Sequence, residues 1–207
     1  MRQRLILASA SPRRLELLRQ IGVEPAAVIP ADIDETPLPR EVPHGYVRRI
    51  AAAKLQVVCD QLAAASSSSS SSADTPPPPT FVLAADSIVA VGRRILGKPA
   101  DAVEAAKFWR LYSGRRHRVY TGVALANPAG KMVIKVAITQ VQFKSLSEAE
   151  IARFVASNEW QGKAGGYAIQ GAAEAFVQSV SGSISNIIGL PLCLTRNLLL
   201  GNGWIDD

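Results

Sequence analysis

Segments patterned as strands and as helices alternate along this chain, with one hairpin in the middle, and together they predict an α/β fold on a mixed sheet. Three observations carry that expectation. Short apolar runs such as Leu5–Ala8 and Phe81–Ala85 are too short for helices and suit strands buried on both faces. Amphipathic segments with cap signals lie between such runs. Two strand-like segments flank Asn127-Pro128-Ala129-Gly130, a hairpin signal that makes one pair antiparallel. A chain of 207 residues, 48% hydrophobic and 19% charged, can bury a core without staples, and it reads as a single domain over 1–207.

Leu5–Ala8 opens the sheet. Ser11 then suits an N-cap, Pro12 the first helical position, Leu15, Leu18 and Ile21 a buried stripe, and Gly22 the stop. That places Arg13 and Arg14 in a first helical turn, where cations oppose the helix dipole. An anion at the helix start would account for both. Val28–Pro30 is a short second strand. It leads to Asp32, Asp34 and Glu35 in a proline-rich loop, which could lend a carboxylate to a metal site. Tyr46–Leu62 is a helix with an apolar stripe of Val47, Ile50, Val57 and Val58. Lys54 falls on that stripe, so it either snorkels or serves a buried anion. Residues 64–79 include the serine run Ser66–Ser72 and the prolines Pro76–Pro79, and are expected to form a disordered insertion inside the domain.

Phe81–Pro99 holds the densest chemistry. An apolar run delivers Asp86 and Ser87, and a second run, Ile88–Val91, follows. A carboxylate between two apolar runs is costly unless it is paired, hydrogen-bonded or bound to a metal. Gly97-Lys98-Pro99 presents a lysine on a stiff turn, ahead of a helix that Asp101 and Glu104 cap and that runs to about Tyr112. Val119–Leu125 and Val133–Phe143 are the hairpin strands. Ser147 and Glu150 make a capping box for a helix burying Ile151, Phe154 and Val155. Gly162–Gly171 is rich in glycine; it either lets backbone approach a ligand closely or is a flexible connector. It is no Walker loop, because the G-x-x-x-x-G-K-[ST] order is absent. Ser183–Gly189 reads as a last strand, and Pro191 opens a helix over Leu192–Leu200.

The formal charge is +6. Its basic residues are spread in small groups, Arg13-Arg14, Arg48-Arg49, Arg93-Arg94 and Arg115-Arg116, without interleaved aromatics. That favours dispersed phosphate contacts over a nucleic-acid face. Cys59 and Cys193 are in no metal-type spacing, and His44 and His117 are too isolated for a zinc site. No run approaches the ~20 apolar residues of a membrane span, and the apolar stretch at the start is too short for a signal peptide. A cytoplasmic protein is expected, with neither membrane nor stable nucleic acid as partner.

The segments LASASPRRLELL, AADSIV with ILGKP, SGRRHRVYTGVAL, GKAGGYAIQGAA and GSISNIIGLPL together resemble the Maf family of nucleoside triphosphate pyrophosphatases, also called septum formation inhibitors. The resemblance runs from Leu5 to about Leu200. Two features depart from it: Ser87 stands where members usually have threonine, and the serine-proline tract is unusual. The resemblance implies an elongated α/β fold with two lobes around a central cleft. It also implies hydrolysis of a nucleoside triphosphate to monophosphate and pyrophosphate with a divalent cation, whether Mg, Mn or Co, and it leaves a homodimer open. Carried over by motif, Asp86 and Glu35 would hold the metal and orient water, and Lys54 and Lys98 would complete the catalytic group. Ser9, Arg13 and Arg14 would contact the triphosphate, and Arg13, Ser87 and Gln170 would set base preference. The sequence is most similar to the branch acting on dTTP and UTP, with modified pyrimidine nucleotides within its scope. The alternatives are the branch that prefers 7-methyl-GTP and a non-catalytic nucleotide- or nucleic-acid-binding regulator of cell division. Gln170 fits a pyrimidine reader, because its amide can pair with the N3–H and adjacent carbonyl of uracil or thymine.

Overall fold

A computed structural model describes residues 3–68 and 78–205. Among them, seven strands form one sheet: β1 (Arg4–Ala8), β2 (Ala27–Val28), β3 (Thr80–Val91), β4 (Arg94–Leu96), β5 (Arg116–Ala126), β6 (Met132–Phe143) and β7 (Val177–Ser181). Their order is β2-β1-β3-β5-β6-β7, with β4 beside β3. β1 runs parallel to β2 and β3, and every other pairing is antiparallel, so the sheet is mixed as predicted. The helices are α1 (Pro12–Gln20), α2 (Pro43–Ser68), α3 (Ala102–Tyr112), α4 (Glu148–Ala156), α5 (Ile184–Ile188) and α6 (Leu192–Gly201). Among the described residues, no helix is long and apolar enough to cross a membrane.

The local signals explain most of these boundaries. Asp101 accepts from the Glu104 amide at 2.7 Å and starts α3. Ser147 and Glu150 form a reciprocal capping box on α4. The Asn127 side chain accepts from the amides of Ala129 and Lys131 and turns β5 into β6.

Side chains alternate along β3 with a period of two. Phe81, Leu83 and Ala85 face a core shared with α1 and α6, including Leu17, Leu18 and Leu198. Val82 and Ala84 face Ala51, Leu55 and Val58 of α2, and further along the same face Ile88 and Ala90 meet Tyr46, Val47 and Ile50. A separate aromatic core lies at the other end of the sheet, where Trp109 and Tyr112 of α3 pack with Phe143 and Phe154. Gly122 of β5, the register neighbour of Asp86, lets α2 lie unusually close: a Cβ there would overlap the Val47 carbonyl.

Two boundaries differ from expectation. Ser183–Gly189 is not a strand. Ser183 accepts from the Asn186 amide at 3.3 Å and caps the helix α5, Asn186 is buried inward, and Gly189 at φ 140 ends it. This cap overrides the β-propensity of the isoleucines, and the strand lies earlier, at β7. Helix α2 also continues past Leu62 to Ser68, and there the Ser66 and Ser67 hydroxyls fold back onto the carbonyls of Leu62 and Ala63, both at 2.9 Å. Residues 64–68, where the insertion was expected to begin, are described as the end of this helix. Residues 69–77, the rest of the expected insertion apart from Pro78 and Pro79, lie outside the described residues.

Candidate active site

The site sits where β3 changes partners. β1 pairs with β3 up to Ala84, and β4 takes over at Val89. Between them, Ala85–Ile88 have β5 on one side and no strand on the other among the described residues. Such a switch in strand order leaves a crevice at the strand ends. A cleft of about 580 Å³ opens there, within the usual size range of a small-ligand site. All nine residues singled out by sequence line it: Ser9, Arg13, Arg14, Glu35, Lys54, Asp86, Ser87, Lys98 and Gln170. The neighbouring carboxylates Asp32 and Asp34 do not; Asp34 accepts from the Thr36 amide instead.

The strand period sends Asp86 toward α2 and Ser87 toward the opposite face. Asp86 is 5% exposed, and its Oδ1 accepts from Lys54 Nζ at 2.7 Å. The same ammonium lies 2.6 Å from Glu35 Oε1. Lys54 therefore joins two carboxylates from distant segments. It is buried on the α2 stripe and serves an anion, which settles the choice between pairing and snorkelling. Glu35 is more open, and its backbone is held in place: Tyr46 donates to its carbonyl at 2.8 Å. Burial first, then the nearby carboxylate charges, pushes the Tyr46 hydroxyl above its ordinary pKa and keeps it a donor. Arg49 clamps the same loop through Glu41 and the Thr36 carbonyl.

Asp86 and Glu35 are the only carboxylates lining the cleft among the described residues. They are two hard oxygen donors, and no third metal-ligating side chain joins them among the described residues, so a magnesium-type ion there would need phosphate and water for the rest of its shell.

On the other face, the Arg14 guanidinium is a brace. Its Nε donates to the Gly189 carbonyl at 2.9 Å, Nη1 to Ser9 Oγ at 3.0 Å and Nη2 to Ser87 Oγ at 3.2 Å. Burial lowers its pKa, and the Asp86 charge opposes that shift. Three of its five N–H donors are thus engaged within the protein. Ser87 also contacts Thr121 Oγ1 at 2.9 Å, which ties β3 to β5. The side chains of Arg13, Lys98 and Gln170, by contrast, make no hydrogen bond or ion pair within the described residues.

Lys163 was missed by sequence reasoning. It lines the cleft, half-buried and with no carboxylate partner among the described residues. The available signal was a lone lysine inside a glycine-rich stretch. That stretch is no loose connector. Gly165 N donates to the Gly97 carbonyl at 2.8 Å, next to Lys98; Tyr112 donates to Gly165 O at 2.8 Å and Trp109 Nε1 to Gly166 O at 3.1 Å. Gly165 has φ 71, and a Cβ there would come within 2.7 Å of Val89 Cβ. Only glycine permits this approach. Arg13, Arg14, Lys54, Lys98 and Lys163 against Asp86 and Glu35 leave the cleft with a net charge of +3, suited to a polyanion.

Comparison with known proteins gives the family. The family model described as "Maf-like protein" matches residues 4–201. A protein named dTTP/UTP pyrophosphatase from Zymomonas mobilis is 51% identical over 200 residues, covering 97% of this chain and 92% of its own. Proteins of the same name from Agrobacterium fabrum (50% over 203 residues, covering 98% and 94%) and Chelativorans sp. (49% over 201, covering 97% and 92%) are similar to the same degree. A match of this extent, running through every segment that builds the cleft, makes the chain a member of the Maf-like family.

Proposed function

We propose that the chain hydrolyses the α–β anhydride of dTTP and UTP, releasing the monophosphate and pyrophosphate. The observation that carries this is the Asp86–Lys54–Glu35 cluster set in a cleft where three further cations, Arg13, Lys98 and Lys163, have no carboxylate partner among the described residues. The names borne by the half-identical relatives support the same substrates. A protein that only bound nucleic acid would gain nothing from two carboxylates inside a cationic cleft.

The residues divide the work. Arg13, Lys98 and Lys163 bind the polyphosphate, and their charges offset the negative charge that builds on the departing pyrophosphate. Asp86 orients a water toward the α-phosphorus and takes its proton as the new O–P bond forms and the bridging O–P bond breaks. Lys54 keeps both carboxylates in place and contributes positive charge beside the phosphates. Asp86 and Glu35 would hold a divalent cation that adds Lewis-acid neutralisation of the phosphate oxygens. Gln170 pairs with the N3–H and a carbonyl of uracil or thymine; cytosine breaks part of that pattern, at a cost of ~1–3 kcal/mol for a group left unpaired. Cys59 and Cys193 are both free, in keeping with work in the cytoplasm.

The test is a chromatographic assay of products from UTP, dTTP, CTP, GTP, ATP and 7-methyl-GTP, with and without magnesium. UMP and pyrophosphate in equal amounts, fastest from UTP and dTTP, are expected. Diphosphate plus orthophosphate would overturn the α–β cleavage, and a panel led by 7-methyl-GTP would move the chain to another substrate.

A further inference from the structure

We propose that His117 is a positioning residue: by accepting a hydrogen bond from Tyr167, it holds loop 163–170, with Lys163 and Gln170, against the cleft. The proposal rests on the reading that this loop faces the nucleotide.

His117 lies on β5, 1% exposed, and does not line the cleft. Its Nε2 is 2.7 Å from the Tyr167 hydroxyl, its ring leans on Tyr112 at 4.3 Å between centroids, and Phe143 meets it edge-on at 5.0 Å. Tyr167 is itself buried and lines the cleft. Burial holds the imidazole neutral, with its pKa lowered to about 3, so it carries one proton. Its Nδ1 has no hydrogen-bond partner in this buried site. With the proton on Nδ1, Nε2 accepts the Tyr167 O–H and a single N–H is left over. With the proton on Nε2, the tyrosine proton loses its partner and the Nδ1 lone pair is stranded as well. The first arrangement leaves fewer orphans, so Tyr167 donates and position 117 supplies the acceptor.

As core filling alone, an imidazole is a poor choice. The surroundings are aromatic and apolar, and an orphaned ring nitrogen costs stability that a phenyl group would not. What the imidazole adds is the bond to Tyr167, and the loop needs it. Upstream, Gly165 and Gly166 are fastened by Tyr112, Trp109 and Gly97; downstream, Glu159 accepts from the Ala172 amide at 2.9 Å. Between those anchors, Tyr167–His117 is the only side-chain hydrogen bond to the loop among the described residues. Gln170 follows it by three positions, so its reach toward a base depends on where Tyr167 sits.

The test compares wild type, the double variant His117→Phe/Tyr167→Phe, and His117→Gln, whose amide oxygen can replace the Nε2 acceptor. The double variant removes both polar partners and retains the apolar packing, so it should fold. Hydrogen–deuterium exchange of the amides of residues 164–171 should rise at least ~10-fold in it. The KM for UTP should rise at least ~5-fold with kcat within about 3-fold, and the UTP-over-CTP ratio should fall. His117→Gln should stay within about 2-fold of wild type on every measure. Wild-type exchange and an unchanged UTP-over-CTP ratio in the folded double variant would overturn the proposal, as would His117→Gln failing as badly as the double variant. If the double variant does not fold, Tyr167→Phe, which removes only the hydroxyl, carries the same comparison and the same two outcomes. A wild-type protein that releases no pyrophosphate would defeat the nucleotide reading instead, and the exchange measurement would still decide whether His117 holds the loop.

Discussion

Replacing Lys54 by methionine separates two views of a lysine on an apolar helix stripe. By pattern alone the change makes the stripe more uniform and leaves the fold untouched. The structure predicts otherwise. Lys54 is 8% exposed and Asp86 5%, and their 2.7 Å contact is the closest charge pairing that Asp86 has. Removing one partner of a buried pair strands the other charge, at about 3–5 kcal/mol. Glu35 adds little to this sum, because its side chain is 50% exposed and solvent screens it. For a chain of this size that loss corresponds to a drop in Tm of roughly 6–20 °C. Urea denaturation followed by tryptophan fluorescence measures it. The double variant Lys54→Met/Asp86→Asn removes both charges and should recover at least about 2 kcal/mol of the loss, as a coupled pair requires. A single variant that loses less than about 1 kcal/mol, with no coupling in the cycle, would refute the reasoning and return Lys54 to a snorkelling role.

Four other outcomes follow from the same geometry. Asp86→Asn should keep the fold, since the amide oxygen still accepts from Lys54, while turnover falls at least ~100-fold; near-normal turnover removes Asp86 from the mechanism. Gln170→Ala should flatten the preference among UTP, dTTP and CTP more than it lowers the best rate, read as kcat/KM across the panel. The buried His117 imidazole titrates near about 3 against 6.5 when exposed. Below 6.5 the unfolded chain therefore takes up a proton that the folded chain refuses, and stability, complete above that pH, falls as pH drops toward 3. This group alone should remove about 2 kcal/mol between pH 7 and 5, so His117→Gln should show a shallower pH dependence of the urea midpoint; equal slopes would contradict the burial effect. Gly122→Ala should lift α2 from the sheet, at about 1–3 kcal/mol or more, and lower turnover by drawing Lys54 away from Asp86.

What the sequence made legible was whatever a few neighbouring residues decide. The capping pairs Asp101–Glu104 and Ser147–Glu150, the Asn127–Gly130 turn and the stop at Gly22 each close within five residues, and each stands where it was expected. The oddities of the site were legible too, as a carboxylate between apolar runs and a lysine on an apolar stripe. Their partners were not. Lys54 finds Asp86 across 32 residues and Arg14 finds Gly189 across 175, and no local pattern encodes such meetings. The glycine-rich stretch could be read as rigid or loose because its rigidity comes from Tyr112, Trp109 and His117, all on other elements. The misread strand at Ser183–Gly189 has a local cause: the isoleucines favour a strand, and only the inward placement of Asn186 behind its serine cap decides for a helix.

The long strands have a mechanical consequence. β3, β5 and β6 are 12, 11 and 12 residues long, and each passes without interruption from the aromatic core at one end to the aliphatic cores at the other. The cleft is cut into the edge of this plate and has no flexible seam behind it. Spreading its walls would mean bending three hydrogen-bonded strands together, whereas hinge motions are absorbed by a few residues at loops or element ends. The two halves therefore share one stiffness. Adjustment around a nucleotide therefore falls to side chains on the rims, the Glu35 loop on one side and the anchored glycine-rich loop on the other, and the floor between them is set before any ligand arrives.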